Sequence, residues 1–230
     1  MAFTGRARRS CGTLWVMHLD WPMPDRVVLL VPATFVGVGP EATFMLARAM
    51  GLEGPSEVQR RFATRRRCYA AMVEGNLAAY GWVTFDEECI GEMGVHIHLM
   101  PGEAYIWDCA TAPSYRRRGL YTALLAHIVG ELRREGLCRV WIGADGDNLP
   151  SQKGIARVGF QPVIDLITAH SAASRPIRMH GRPGISKQIV TDARGALSGN
   201  RLSPQYSGRP FLDNVASANG VSSRSLRADA

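Results

Sequence analysis

Residues 113–125 read P-S-Y-R-R-R-G-L-Y-T-A-L-L, so Arg116, Arg117 and Arg118 run into Gly119 just as an apolar helical repeat begins. Positive charge is unfavourable at a helix N-terminus, where free N–H groups and the macrodipole are already positive. The arrangement makes sense if an anion belongs there: backbone amides would hold a phosphate and guanidinium groups its neighbours. A solvated basic turn is the alternative. Just upstream, E-A-Y-I-W-D-C-A-T carries two carboxylates, Glu103 and Asp108, on an otherwise apolar stretch. Such a carboxylate either takes part in proton transfer or sits on a wet face of a sheet. His96 and His98, in G-V-H-I-H-L, share one strand face and titrate in the range useful for a base; packing or surface roles are the alternative. Cys109 invites a nucleophilic reading, but a thiol on an apolar strand is generally inert. Tyr105 and Trp107 would shape a pocket or pack the sheet.

Chemistry at these positions requires elements to hold them. Apolar positions at Leu120, Leu124, Leu125, Ile128, Val129 and Leu132 predict a helix that Gly136 ends. Residues 26–35 (R-V-V-L-L-V-P-A-T-F) predict a buried strand ending near Pro32. One helix is expected from Gly39-Pro40-Glu41 to Gly51 and another from Ser56-Glu57 toward Arg65. Cys68 to Val73 and Leu77 to Phe85 flank Glu74-Gly75-Asn76, a hairpin signal. A strand over G-V-H-I-H-L and another over 103–111 follow. Arg139 to Ala144, Asn148 to Arg157 and Gln161 to Thr168 then read as strand, short helix and strand. The fold class is α/β, a mixed and mostly antiparallel sheet flanked by helices, in the order β-α-α-β-β-β-α-β-α-β.

The chain has 230 residues, 46% hydrophobic and 20% charged, the balance of a soluble globular protein. Lys and Arg number 27 against 20 Asp and Glu, a net charge of +7 that favours anionic partners. The five cysteines form no C-x-x-C pair, and neither a disulfide framework nor a metal site is expected. The longest apolar run, Val27 to Val38, is too short to span a bilayer. Residues 1–25 read as a basic, partly disordered leader, 26–180 as the folded domain, and 181–230 as a mostly disordered Gly/Ser/Arg-rich tail. Within that tail only Ile185 to Val190 and Pro210 to Val215 suggest local structure. A cytoplasmic location is expected, with reduced thiols.

Residues 105–160 resemble the GNAT superfamily of acyl-CoA-dependent N-acyltransferases. The strand leading into T-A-P-S-Y-R-R-R-G-L-Y is similar to the family's junction Arg/Gln-x-x-Gly-x-Gly/Ala. Arg116 and Gly119 match its first two fixed positions, and Tyr121 stands where Gly or Ala is usual. N-L-P-S-Q-K-G-I-A-R-V-G-F is similar to the family's N-x-x-A/S with a closing Gly-Phe, through Asn148, Ser151, Gly159 and Phe160. The resemblance implies acetyl-CoA as co-substrate and an amine as acceptor, with direct transfer between them. It implies that Cys109, Ala110, Thr111, Arg116, Arg117, Arg118, Gly119, Leu120, Tyr121, Asn148 and Ser151 hold coenzyme A. It also implies a base among Asp108 and Glu103, with His96 and His98 behind them. Ile155 stands where the family often has a tyrosine that protonates the departing thiolate. A non-catalytic acyl-CoA-binding or sensory domain is therefore the competing expectation. Nucleic acid is not expected as a partner, since no recognition element accompanies the basic tail. A membrane is not expected either, and a homodimer stays open.

Overall fold

The computed structural model describes residues 9–23, 27–90, 95–169 and 177–198. Its strands are β1 (Arg9–His18), β2 (Thr34–Val38), β3 (Arg67–Val73), β4 (Asn76–Thr84), β5 (Glu87–Ile90), β6 (Val95–His98), β7 (Glu103–Thr111), β8 (Arg139–Asp145), β9 (Gln161–Ala169) and β10 (Ile177–Gly181). Its α-helices are α1 (Thr43–Ala49), α2 (Ser56–Ala63), α3 (Leu120–Arg134), α4 (Leu149–Val158) and α5 (Lys187–Ser198). Eight strands form one sheet in the order β10-β9-β1-β8-β7-β4-β3-β2, and β5 pairs with β6 apart from it. Every pairing is antiparallel except β7 with β8. The mixed, mostly antiparallel class read from the sequence is the class observed.

Local chemistry explains the clearest elements. Val73 pairs with Asn76 across a two-residue turn, in which Glu74 and Gly75 both take positive φ, 51° and 77°. That is the geometry that matches strand twist in a tight hairpin. Helix α3 buries Leu120, Leu124, Leu125, Ile128, Val129 and Leu132 against β3, β4 and β7. Each such side chain contributes roughly 1.5–3 kcal/mol of transfer free energy. Gly119 and Gly136 bracket the helix, both at φ 83°.

Three expectations need correction. Residues 9–18, expected to belong to a loose leader, form β1 near the sheet centre, paired with β8 on one side and β9 on the other. Leu14, Trp15, Val16 and Met17 are all buried. A strand covered on both faces shows no alternation, and its continuous apolar run reads like a leader. Residues 1–8 lie outside the described residues.

The strand expected at 26–35 begins only at Thr34; residues 27–33 are a strap laid along α3. Leu30 N–H donates to Arg118 O at one end of that helix, and Arg133 donates to Trp21 O at the other. Val28 and Leu30 are 70% and 69% exposed, whereas Leu29 and Val31 pack on the core. The run alternates because it covers a helix with one edge.

Residues 187–198, expected within a disordered tail, form α5, which buries Ala193, Ala196 and Leu197. Two of those three are alanines, and Ile189 and Val190 pack only partly buried, so the apolar signal was weak. Residues 199–230, including the Pro210 to Val215 segment, lie outside the described residues.

Candidate active site

The parallel register of β7 and β8 runs from Glu103 opposite Arg139 to Ile106 opposite Ile142. Beyond it the strands part. On the other edge of β7, Trp107 pairs with Trp82 and Ala110 with Tyr80, so Asp108 and Cys109 stand opposite the single residue Gly81. This is a β-bulge, which bends the strand and leaves ladder groups unpaired. Asp108 takes φ 41° within it. Gly81 makes the bulge sterically feasible, because a Cβ there would lie 2.8 Å from Cys109 Sγ. In the gap between β7 and β8 lies a cavity of about 420 Å³, lined by Trp107, Asp108 and Cys109 on one wall and Gly143, Ala144 and Asp145 on the other. Gly143 leaves room for Tyr105, whose hydroxyl would be 2.9 Å from a Cβ at that position.

Asp108 is already engaged. Arg61 Nη1 donates to its Oδ2 at 2.5 Å, and Arg61 Nε donates to Glu57 Oε1 at 2.8 Å. The guanidinium, in a residue only 8% exposed, lies 4.4 Å from the Trp107 ring centroid and 5.1 Å from that of Trp82. Desolvated cation–π contacts of this kind are worth about 2 kcal/mol. Arg61 was missed in the sequence, although it falls three residues after buried Val58 and so on the inward face of α2.

Hydrogen bonds from Arg60 first, then from Arg61, hold the Glu57 carboxyl at about 2 against the opposing effect of partial burial. A depressed carboxyl stabilises the fold above its ordinary value and loses that contribution as pH falls through the folded-state value. The melting-temperature advantage of the parent over Glu57→Gln is therefore expected to be full above about pH 5 and gone near about pH 2. A difference that does not change with pH would remove this account.

The basic turn follows β7 and leads into α3, whose first-turn residue Tyr121 lines the cavity. Arg116, Arg117 and Arg118 are exposed, and no carboxylate among the described residues pairs with them. Arg116 Nε donates to Thr111 O at 3.3 Å, bracing the turn against the end of β7. Arg117 has φ 62°, and Gly119 precedes α3 without a side-chain cap, so first-turn amides remain for an anion. Thr111 Oγ1 is buried without a partner among the described residues. Gly119 has a second duty, since a Cβ on it would lie 2.2 Å from Val28 O in the strap. A larger residue at 119 would therefore damage packing whatever binds at the turn. Ala110 continues the β4 ladder beside Thr111, and Leu120 is buried in the core; neither lines the cavity.

Tyr121 points inward. Its ring lies over Gly154, where a Cβ would come within 2.6 Å, and its hydroxyl lies 2.8 Å from Ser151 Oγ. Asn148 caps α4 by accepting from Ser151 N at 3.2 Å. Tyr121, Asn148 and Ser151 all line the cavity. Ile155, one turn further along α4, is wholly buried in the core. Burial pushes the Cys109 thiol well up, so it stays protonated and is a poor nucleophile.

The remaining candidates lie elsewhere. Glu103 is buried at the opposite end of β7, 3.2 Å from Arg139 Nη1, which also meets Asp192 of α5 at 2.8 Å. It joins β7, β8 and α5 and does not line the cavity. His96 and His98 lie on β6, their rings 6.3 Å apart, and His98 meets Glu87 at 3.3 Å; neither reaches the cavity. Asp145, which sequence reasoning overlooked, does line it, at the free end of β8. No group of three or more His, Cys, Asp or Glu among the described residues could hold a metal ion, and no helix among them is long and apolar enough to cross a membrane.

The model of the acetyltransferase (GNAT) family matches residues 43–160, half of the chain. The chain belongs to this family. The ribosomal protein bS18-alanine N-acetyltransferase of Escherichia coli K12 is 33% identical over 58 residues, which is 25% of this chain and 39% of that relative. The matched part thus spans about two fifths of the relative's length. A GNAT-family protein of Novosphingobium aromaticivorans superposes with TM-score 0.50 at 20% identity, over 70% of this chain and 63% of its own. The glucosamine N-acetyltransferase region of a fungal multi-domain β-N-acetylglucosaminidase gives TM-score 0.53 at 15% identity, over 70% of this chain and 21% of that one. Those two likenesses concern the fold.

Proposed function

We propose that this GNAT protein transfers an acetyl group from acetyl-CoA directly to a primary amine of a small molecule or peptide. The observation that carries the reading is the arginine turn at the α3 N-terminus, which no carboxylate among the described residues pairs with, beside a helix whose Tyr121 lines the cavity between β7 and β8. Arg116, Arg117 and Arg118 suit the phosphates of coenzyme A, and the gap suits its extended arm. The thioester supplies an activated acetyl carbon. Backbone amides at the Asp108–Cys109 bulge, where the β4 ladder is interrupted, would polarise its carbonyl. The cavity holds the amine beside that carbon, which supplies proximity. Asp145 faces the cavity without a cationic partner among the described residues, and is our choice to accept the amine proton directly or through a water. The partial likeness to an alanine N-acetyltransferase makes a peptide N-terminus the first acceptor to try.

Calorimetry with coenzyme A tests the first half. Replacing Arg116, Arg117 and Arg118 together by Ala is expected to weaken binding about tenfold or more, since hydrogen bonds to charged groups are worth about 1.5–3 kcal/mol each. The loss should shrink as salt rises. Undiminished affinity would reject the assigned phosphate site. Thiol release from acetyl-CoA across an amine panel, including a peptide with N-terminal alanine, tests the second half. Ile155, apolar and buried, favours a second reading, a non-catalytic acyl-CoA-binding domain. Tight coenzyme A binding with no turnover on any amine would select it.

A further inference from the structure

Any aminolysis of a thioester ejects a thiolate, and Ile155 offers that charge nothing. The cavity reaches the first turns of α3 and α4, through Tyr121 on one and Ser151 on the other, and this passage lies just after the arginine turn in the chain. One side chain bridges that passage: Tyr121 leaves α3, crosses over Gly154 and meets Ser151 on α4 at 2.8 Å. Ser151 Oγ can donate to the phenolic oxygen, which leaves the phenolic hydrogen free for the cavity that both residues line. Gly154 is what lets the ring lie there.

Resting on the acetyl-transfer reading, we propose that the Tyr121 hydroxyl, held by Ser151, donates a hydrogen bond to the coenzyme A sulfur and stabilises the departing thiolate. The amine nitrogen forms the new C–N bond, the C–S bond breaks, and its electron pair goes to sulfur. The amine proton leaves to the base or solvent. The thiolate carries its charge away and is protonated by solvent after release.

Magnitudes decide between lending a hydrogen bond and giving up a proton. An aliphatic thiol ionises near about 8.5 and an ordinary phenol near about 10. Burial pushes the Tyr121 phenol further up. Full transfer to the sulfur would run uphill, whereas a hydrogen bond to the charge would not. The same burial keeps the phenol protonated, hence a donor, through the neutral range.

Tyr121→Phe keeps the ring over Gly154 and removes only the hydroxyl. It is expected to cut turnover of acetyl-CoA about tenfold to a hundredfold while leaving coenzyme A affinity near neutral pH within about twofold. A second measurement needs no acceptor: the affinity ratio of coenzyme A to its analogue lacking sulfur. In the parent this ratio should rise about tenfold to a hundredfold as pH goes from about 7 to about 10, because the bound thiol ionises early. In Tyr121→Phe the rise should nearly vanish, and in Ser151→Ala it should be smaller than in the parent. Arg61, Cys89, Tyr105, Asp108, Cys109 and Asp145, the other titratable or charged side chains lining the cavity, are the same in all three proteins. A flat ratio in the parent, or an equal rise in Tyr121→Phe, would overturn the assignment and leave acetyl transfer standing. A parent that binds neither ligand would overturn both. If Tyr121→Phe fails to fold, Ser151→Ala decides: a rise equal to the parent's counts against the assignment.

Discussion

Deletion of residues 1–18 is expected to leave a chain that no longer folds cooperatively. The segment holds β1, whose Leu14, Trp15, Val16 and Met17 are buried in the two clusters on either face of the sheet. At roughly 1.5–3 kcal/mol for each side chain, their burial contributes about 6–12 kcal/mol. That is comparable to the whole net stability of a typical domain, about 5–15 kcal/mol. The deletion also cuts two ladders. β8 loses the register from Gly12–Asp145 to His18–Arg139, and β9 loses the one from Arg9–Ala169 to Val16–Gln161. Both strands would then present open edges in the middle of the sheet, an invitation to aggregate. Because Gly12, Thr13 and Leu14 of β1 themselves line the cavity, coenzyme A binding should fall with the fold. Calorimetric melting and far-ultraviolet circular dichroism check the prediction. A soluble truncated protein with a sharp transition near the parent's would show that β1 is an accessory strand.

What could be read in the sequence follows the range of the interactions. Helix α3 was legible because its apolar spacing, its glycines and its arginine mouth lie within twenty residues of one another. The β3–β4 hairpin was legible because Glu74-Gly75 is a local turn signal. β1 was hidden because a strand buried on both faces lacks alternation, and because its partners β8 and β9 lie more than a hundred residues away. α5 was hidden because its large apolar residues, Ile189, Val190 and Leu197, are few and its remaining buried positions are the alanines Ala193 and Ala196. The site shows the same division. The anion turn is one contiguous segment, whereas the Arg61–Asp108 pair joins residues 47 apart in sequence. Neither the inward turn of Tyr121 nor the exposure of Asp145 to the cavity can be inferred before α3, α4 and β8 are placed together. Glu103 shows the converse: a carboxylate beside the right motif in sequence can stand at the wrong end of its strand.

Asp145→Asn is expected to lower kcat by about a hundredfold or more, the usual cost of losing one acid–base group, while melting temperature and coenzyme A affinity stay near the parent's. Two carboxylates line the cavity, and their surroundings separate their roles. Asp108 is bound to Arg61, whose guanidinium packs against two tryptophan rings and has little freedom to let go. To take a substrate proton, Asp108 would have to give up that bond. Asp145 has no such tie among the described residues, and it closes β8 at the edge where the strands part. Asp108→Asn should therefore act chiefly on stability, because it leaves a buried arginine short of a partner. Losing one member of a fully buried pair costs about 3–5 kcal/mol, and Asp108, with its side chain 32% exposed, should fall nearer about 1–2 kcal/mol. A double-mutant cycle with Arg61→Met would show the coupling directly, since residues in contact do not act additively. Glu103→Gln should likewise act on stability, through Arg139, and His96→Gln with His98→Gln should leave the rate near the parent's. The reverse pattern would reassign the base: full turnover in Asp145→Asn, with Asp108→Asn losing rate at an unchanged melting temperature. Arg61 would then be the group that holds a reactive carboxylate in place until the amine arrives.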